Sequence, residues 1–560
     1  MSLKKILSIG IFLVILSISN GYAFLFNDQE KIQSKDYIKN YLYASILHQQ
    51  KQHNLAALNF NKIDRLEGKH SDYDIKFINS LIVNGQFDQA VKQVLKTEDK
   101  YENILLFDFI KVIHFIKAKD YDVALDLLRS LNINDLLFTE LKSSLEFWIL
   151  LEKADEFQKI QLIKNINSRY PTISLINQFL ASNYINNANL YNIYNKKILS
   201  SDNYIRYQIL SSWNEIRNNN KKKAKQILKN LLTKDKKNIL LKQSYLNFEK
   251  EDFRIINFYN FSSIEDNISE IFYLFSNLYQ QRDDLEFAEI LLSISLDFNN
   301  KFLSNNLLRF ENMIFNSNAY NFDNRILYRI KNIGSEYEWL VNYRITANKN
   351  DLDNIKNLEK KIISDDIFKS DKYLDLANYY RIKKQFKKAL EFYEKVEIES
   401  SDKLDWSFFY FKGICYERLN LWKSAEKSFK KSLSLSPRQY SVINYLAYSW
   451  LEREQNISEA KAMLEDAVKL SRWELGYIID SLGWAYYLQG DYDKAEDLLR
   501  LAYEKTSSES EVYDHYGDVL WKQKKYLQAR YVWQNALNLE NIDEKRKDTI
   551  ERKILNGLND

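Results

Sequence analysis

Small side chains recur near the C-terminus of this 560-residue chain at intervals of 34 or 36 residues. The first series consists of Ala377, Gly413, Ala447, Gly483 and Gly517. A second series follows the first by 12 or 13 residues and consists of Ala389, Ala425, Ala460, Ala495 and Ala529. Two helices that cross closely need small residues where they meet, so this pattern predicts a repeated helical hairpin.

Large side chains accompany both series in a fixed register. Three positions after the first series come Tyr380, Tyr416, Trp450, Tyr486 and Leu520, and four positions after the second come Tyr393, Phe429, Leu464, Leu499 and Trp533. Only a period near 3.6 places positions i, i+3 and i+4 on one stripe, so each half-unit is predicted to be an amphipathic helix. The spacing and register match the tetratricopeptide repeat (TPR). We therefore expect an all-α fold, a TPR-like α-α superhelical solenoid.

The same register returns elsewhere in the chain. Near the start it is formed by Ala44 with Ala56 and Phe60, Ile78 with Ala90 and Val94, and Val112 with Ala124 and Leu128. In the middle, Ser212 with Ala224 and Ser276 with Ala288 keep the internal spacing of 12. The asparagine-rich segments "IRNNNKKKA" and "FNSNAYNFDN" are predicted to be turns.

These patterns divide the chain into five regions. They are a signal peptide (1–23), N-terminal TPR-like helical hairpins (24–134), degenerate helical repeats (135–365), a C-terminal TPR array (366–545) and a C-terminal cap or tail (546–560). The middle region is interpreted as degenerate helical hairpins that allow a bend or seam near Asn299 to Asn324, and a distinct inserted domain is the alternative. Because units of a solenoid are expected to contact only their neighbours, we expect unfolding that is not strictly two-state.

The first 23 residues have the composition of an export signal. Lys4 and Lys5 precede an apolar run from Ile6 to Ile18, and Gly21-Tyr22-Ala23 follows. This order predicts a secretory signal peptide that is cleaved after Ala23. The run is short of the roughly 20 residues needed to span a bilayer, so we expect no stable membrane anchor after cleavage; an uncleaved anchor is the alternative. The expected location is the periplasm, including its outer-membrane periphery.

Composition and motifs argue against catalysis and against nucleic-acid binding. The chain has 11 Gly and 2 Pro, too few breakers for an all-β fold, and a net charge of only +4 that gives no nucleic-acid footprint. Motifs such as H-E-x-x-H, G-x-S-x-G and the phosphate-binding P-loop are absent. The sole cysteine, Cys415, lies on a predicted helix far in sequence from any histidine, which favours a buried apolar role. We expect no enzyme activity, no cofactor and no metal.

A candidate binding surface follows from the repeat register. With the first small residue of each unit numbered eight, positions two, five, nine and twelve of the first helix usually line the concave face. In the last three repeats, nine of the twelve residues at these positions form the set that we call the groove surface: Asn444, Tyr448, Tyr477, Asp480, Trp484, Tyr487, Asp514, Asp518 and Trp521. The other three are Ser441, Leu451 and Glu511. Aromatic side chains offer large contact area at low entropic cost, and carboxylates favour basic groups or a free amine. The prediction is a protein or peptide partner, with no indication of the oligomeric state.

Any one of these aromatics could instead pack between neighbouring hairpins. If they face a partner, the paired change Trp484→Ala with Tyr487→Ala should weaken partner capture and leave the melting temperature nearly unchanged. If they pack between hairpins, the same pair should lower stability by several kcal/mol.

Longer segments of the array resemble a known group of proteins. The segments are "DWSFFYFKGICYERLNLWKSAEKSFKKSLSLSP", "VINYLAYSW", "GYIIDSLGWAYYLQGDYDKAEDLL" and "VYDHYGDVLWKQKKYLQARYVWQNAL". They resemble the exported TPR proteins of proteobacteria, especially the alphaproteobacterial type, strongly over 370–540 and weakly over 37–130. The resemblance implies a non-catalytic periplasmic scaffold or adaptor. The alternative is a regulatory or substrate-delivery subunit of a periplasmic protease or other cell-envelope enzyme, as in similar lipid-anchored proteins, although this chain lacks their lipobox.

Overall fold

The computed structural model describes residues 28–558 apart from 98–99, 102–103, 133, 302–306, 308–323, 363–365, 401–403, 507 and 540–541. The predicted signal peptide and most of the stretch from Asn299 to Asn324 lie outside the described residues. Every regular element that the structure describes is a helix, and the predicted all-α, TPR-like fold is confirmed. The chain divides into two compact units, Met1–Asp351 (unit 1) and Leu352–Asp560 (unit 2). None of the described helices is both long and apolar enough to cross a membrane.

Unit 1 is built from antiparallel helical hairpins. Its helices are α1 (Asp28–Gln49), α2 (His53–Phe60), α3 (Ser71–Val83), α4 (Phe87–Thr97), α5 (Leu105–Lys117), α6 (Tyr121–Ser130), α7 (Leu136–Lys153), α8 (Glu156–Asn165), α9 (Pro171–Tyr184), α10 (Ala188–Leu199), α11 (Ile205–Arg217), α12 (Lys221–Lys234), α13 (Ile239–Glu249), α14 (Ile264–Gln281), α15 (Leu285–Phe298), α16 (Asn324–Lys331) and α17 (Ser335–Asn348). The small residues of the N-terminal register, such as Ala44, Ala56 and Ala90, are fully buried where paired helices meet.

Local signals set the ends of these helices. Asp155 precedes α8 and forms a capping box. Its side chain accepts a hydrogen bond from the Gln158 backbone N–H, and the Gln158 side chain accepts one from the Asp155 backbone N–H. Asn219, within the predicted turn "IRNNNKKKA", has φ 62° between α11 and α12. Asparagine tolerates this left-handed conformation, so the residue allows the chain to reverse.

The small residues of the register lie where paired helices cross. In the middle region, the Ser276 hydroxyl on α14 donates to the Ala288 carbonyl on α15 at 2.7 Å. In the C-terminal array, a Cβ on Gly413 would lie only 2.6 Å from the ring of Phe429. A larger residue at either position would force the two helices apart.

One hairpin of unit 1 packs against helices distant in sequence. Helix α15 contacts α3, and α14 contacts α7. Asn79 donates to Glu286 at 2.8 Å across 207 residues. Rings from this hairpin pack on rings of the first half, as Phe287 does on Phe138 at 5.8 Å. The expectation that hairpins contact only their neighbours is therefore wrong for unit 1, because buried aromatic side chains join distant hairpins.

Unit 2 contains the C-terminal array. Its helices are α18 (Leu352–Lys360), α19 (Lys369–Ile382), α20 (Phe386–Glu399), α21 (Trp406–Arg418), α22 (Trp422–Leu435), α23 (Tyr440–Leu451), α24 (Ile457–Leu470), α25 (Gly476–Leu488), α26 (Tyr492–Lys505), α27 (Ser510–Lys522), α28 (Tyr526–Leu537) and α29 (Glu544–Asn556). Helix α22 ends two residues before Pro437, which cannot continue it. From α19 to α28 the helices pair as five hairpins, and α29 packs on α28.

Candidate partner-binding groove

The groove surface lies on α23, α25 and α27, the first helices of three successive hairpins. Helix α25 contacts both α23 and α27. The Tyr448 hydroxyl on α23 donates to Glu511 on α27 at 2.8 Å, although the two residues are 63 positions apart. The ring of Tyr448 also lies 6.3 Å from that of His515 on α27. The three helices therefore bring these predicted residues together along one side of unit 2, where Asn444, Asp480, Asp514 and Asp518 are buried.

Trp484 forms the centre of an aromatic stack. Its ring stacks on Tyr487 at 4.5 Å and on His515 of the next hairpin at 4.1 Å, with interplanar angles of 10° and 14°. Both Trp484 and Tyr487 are half-buried. Trp484 is thus part of the packing between hairpins as well as part of the surface. Of the two outcomes given for the Trp484→Ala, Tyr487→Ala pair, the contact with His515 favours a loss of stability, because truncation would remove packing between hairpins.

A buried ion pair lies beneath this stack. The Nδ1 atom of His515 is 3.0 Å from the carboxylate of Asp480, and both side chains are almost fully buried. Burial alone would lower the pKa of His515, but Asp480, followed by Glu511 and Asp514, raises it to about 9. The imidazole is therefore cationic at neutral pH, and Asp480 is already paired.

Helix α29 neutralises the carboxylates at the far end of the groove surface. Lys553 Nζ lies 2.6 Å from Asp514 and 2.8 Å from Asp518. Arg546 lies 2.6 Å from Glu511 and 3.6 Å from Asp514. Burial and the neighbouring Asp514 raise the pKa of Asp518 to about 6, against the opposing effect of Lys553. Asp514 and Asp518 are therefore paired within unit 2.

Trp521 also lies against the end of the chain. Its ring packs on Tyr526 at 4.5 Å and on Trp533 at 5.6 Å. A Cβ on Gly557, just beyond α29, would lie 1.9 Å from the Trp521 ring, and Gly557 has φ 76°. Trp521 on α27 thus contacts both α28 and the C-terminal segment that follows α29.

Two further predicted residues, Tyr477 and Asn444, lie toward the earlier repeats. Tyr477, at the start of α25, is half-buried, and burial raises the pKa of its hydroxyl. Asn444 on α23 is 8% exposed, and its Oδ1 atom is buried without a hydrogen-bond partner among the described residues. A buried acceptor of this kind is costly unless a donor reaches it.

Several residues of this surface were missed by sequence reasoning. His515, Arg546 and Lys553 were not predicted to belong to it. The repeat register contained a signal for the last two, since Arg546 follows Glu511 by 35 residues and Lys553 follows Asp518 by 35. Helix α29 therefore continues the array as a further first helix, with basic residues at the groove-facing positions.

The sole cysteine of the chain is not activated as a nucleophile. Burial raises the pKa of Cys415 to about 12, which leaves its thiol protonated and a poor nucleophile at neutral pH. Within the described residues, no three His, Cys, Asp or Glu side chains form a group suited to a metal ion. What the surface offers chemically is aromatic contact, paired charges and an unsatisfied acceptor.

A separate cleft lies in unit 1, where the sequence indicated no site. It has a volume of about 590 Å³ and lies between α7 and α8. Phe147, Leu150 and Leu162 line it, together with Phe157, which is 71% exposed. The cleft is mainly apolar and contains no cluster of charged groups that would indicate chemistry.

The helical hairpins and their sequence register give this chain a TPR-like fold. No family model matches the chain. A TPR repeat-containing protein of Pseudomonas aeruginosa is 30% identical over 114 residues, which is 20% of this chain and 19% of that relative. The chain thus matches only about a fifth of the curated relative's length.

Solved TPR structures are also similar to part of the chain. MamA (AMB-1) is 18% identical and covers 32% of this chain and 97% of its own, with a TM-score of 0.26. A thermophilic TPR protein of Thermus thermophilus is 19% identical and covers 33% of this chain and 99% of its own, with a TM-score of 0.29.

Proposed function

We propose that this chain is a non-catalytic scaffold or adaptor that binds a protein or peptide partner through the groove surface of unit 2. The main support is the continuous surface across α23, α25 and α27, in which aromatic rings lie beside buried charges. Half-buried aromatic side chains flanked by polar groups are typical of the residues that contribute most to protein interfaces.

Tyr477 is the best residue with which to test this proposal. It is half-buried at the start of α25, and it lies apart from the ion pairs that hold α27 and α29 together. Tyr531 on α28 provides a matched control because it is 68% exposed and lies outside the groove surface. Either tyrosine can be replaced by alanine with the same loss of side-chain atoms.

The experiment is a capture from periplasmic extract of the source organism, with bound proteins identified by mass spectrometry. We expect one partner to be retained by the wild-type chain and by the Tyr531→Ala variant and to be depleted with Tyr477→Ala. Equal retention by all three folded chains would contradict the proposal. A change in the catalytic rate of a captured enzyme would instead favour a regulatory subunit.

We also propose that the chain is exported to the periplasm. The support is the sequence of Lys4, Lys5, the apolar run Ile6 to Ile18 and the small residues that end at Ala23. N-terminal sequencing of protein from the cell envelope should find Phe24 as the first residue. Recovery of the intact form beginning at Met1 from the cytosol would contradict export.

A further inference from the structure

Glu511, Asp514 and Asp518 form what we call the acidic end of the groove surface. Helix α29, a basic helix of the chain itself, lies against this acidic end. Glu511, Asp514 and Asp518 lie on one side of α27, and each is within 2.8 Å of a basic group on α29. The basic residues Arg546 and Lys553 are seven positions apart, as are Glu511 and Asp518. Seven residues are about two helical turns, or roughly 10.5 Å, so the two helices match in register.

Helix α29 has less apolar contact than the helix before it. It buries Ile550 fully, while Ile554 and Leu558 pack partly buried on the same cluster and Leu555 is 76% exposed. Its sequence, EKRKDTIERKILN, is mostly charged. By contrast, α28 buries Ala529, Val532, Trp533 and Ala536. The attachment of α29 therefore combines this smaller apolar contact with its ion pairs, and segments with few buried apolar contacts open locally before the rest of a protein unfolds.

Removal of α29 would leave three carboxylates on α27 without their cations. His515 could not replace both lost cations, because it already pairs with Asp480 at 3.0 Å. Uncompensated charges at a mostly buried site are strongly unfavourable, so a replacement ligand must be cationic. Toward the earlier repeats of the same surface, the buried Oδ1 acceptor of Asn444 has no donor among the described residues, and an N–H group of a ligand would satisfy it.

We propose that α29 is a tethered occupant of the acidic end of the groove surface, and that the partner presents a helix with two basic residues seven positions apart that replaces α29 there. This inference rests on the proposed function of the groove surface and adds the chemistry of its partner. The unliganded chain holds its acidic end closed by its own C-terminal helix. A partner with this pattern provides the same two cations to Glu511, Asp514 and Asp518.

The test uses the full chain and a labelled synthetic peptide of residues 542–558. One chain variant carries Arg546→Ala with Lys553→Ala, which weakens the internal helix. The matched control carries Lys545→Ala with Arg552→Ala, which removes two positive charges from exposed positions of the same helix. We expect the peptide to bind the first variant at least ten-fold more tightly than it binds the wild-type or control chain. A peptide that lacks both basic groups at positions 546 and 553 should lose at least ten-fold in affinity.

Hydrogen exchange on the unmodified chain gives a second readout that needs no variant to fold. We expect α29 amides to exchange at least ten-fold faster than those of α27 and α28, and the peptide to accelerate exchange in α29 alone. The inference would be overturned if the peptide bound all chains with equal affinity. It would also be overturned if the α29 amides exchanged at the same rate as those of α27 and α28.

The proposed function of the groove surface and the inference about α29 can fail independently of each other. Once a partner has been captured, the Arg546→Ala, Lys553→Ala chain should bind it at least three-fold more tightly than wild type. If capture depends on Tyr477 but not on these two basic residues, the groove binds a partner and the inference about α29 is wrong. If the peptide behaves as expected but no capture depends on Tyr477, the proposed function is wrong.

Discussion

Trp484 stacks on His515 of the following hairpin, with ring centroids 4.1 Å apart and an interplanar angle of 14°. The same imidazole lies 3.0 Å from Asp480, on the helix that carries Trp484. The aromatic and charged parts of the groove surface are thus joined through one histidine. This surface contributes to the packing of unit 2 and is also the part of the chain with the features of a binding site.

Truncation of Trp484 should lower the stability of unit 2. Because the indole is half-buried and stacks on both Tyr487 and His515, we expect Trp484→Ala to reduce the free energy of unfolding by about 2 kcal/mol. Tyr531→Ala, at a side chain that is 68% exposed, should change it by less than about 0.5 kcal/mol. Urea unfolding followed by circular dichroism measures both. Equal stability of the two variants would show that the stack contributes nothing to folding.

Gly517 is required for the close crossing of α27 and α28. A Cβ at this position would lie 2.2 Å from Nε1 of Trp533, which is fully buried. We expect Gly517→Ala to destabilise the chain by about 1–3 kcal/mol through overpacking. The matched control is Gly490→Asn, since Gly490 has φ 79° with open space around it and asparagine tolerates that conformation. A melting temperature for Gly517→Ala that equals that of the control would contradict the close crossing.

The sequence predicted the parts of the fold that depend on local spacing. The contact of Gly517 with Trp533 and that of Ser276 with Ala288 follow from the distance between two helices of one hairpin. The bond from Asn79 to Glu286 was not predictable, because it depends on how a distant hairpin packs back on the first ones. The groove residues were placed on one surface by the register, but their burial and their pairing with α29 depend on tertiary packing.

His515 should make the free energy of unfolding decrease as the pH becomes alkaline. Its pKa is raised from 6.5 to about 9 by Asp480, Glu511 and Asp514, despite burial. A group whose pKa is raised on folding contributes fully below its unfolded value, so this contribution is present below about pH 6.5 and is lost as pH rises through about 9. A shift of this size corresponds to roughly 3 kcal/mol.

We therefore expect the urea midpoint of the wild-type chain to fall between pH 7 and pH 10. In a His515→Gln chain, stability should be lower at pH 7 and should change less over the same interval. A wild-type and variant pair with parallel pH profiles would contradict the assignment of a buried imidazolium.

The first hairpin should loosen in acid. His53 on α2 is buried, and neither ring nitrogen has a hydrogen-bond partner among the described residues, although Nε2 lies 3.8 Å from the Glu289 carboxylate. Burial lowers its pKa despite Glu289. The titratable groups that face it are Glu289, His48 and Lys51, and Glu286 pairs with His48. Because the pKa is lowered on folding, the stability of this contact is present above the unfolded value near 6.5 and is lost as pH falls below it.

Hydrogen exchange should accordingly be faster in α1 and α2 at pH 5 than at pH 7.5, after correction for the intrinsic rate. The His53→Gln chain should show a smaller difference between the two values. Equal protection of α1 and α2 at both pH values in the wild-type chain would contradict this prediction.

The central claim is that the groove surface of unit 2 binds a partner, and calorimetry with the identified partner tests it most directly. Truncation of a central interface aromatic typically costs about 2 kcal/mol or more, so Tyr477→Ala should weaken binding by at least about ten-fold. Tyr531→Ala should bind with the affinity of the wild-type chain, and both variants should retain the helical circular dichroism spectrum. Unchanged affinity of a fully folded Tyr477→Ala chain would contradict the account.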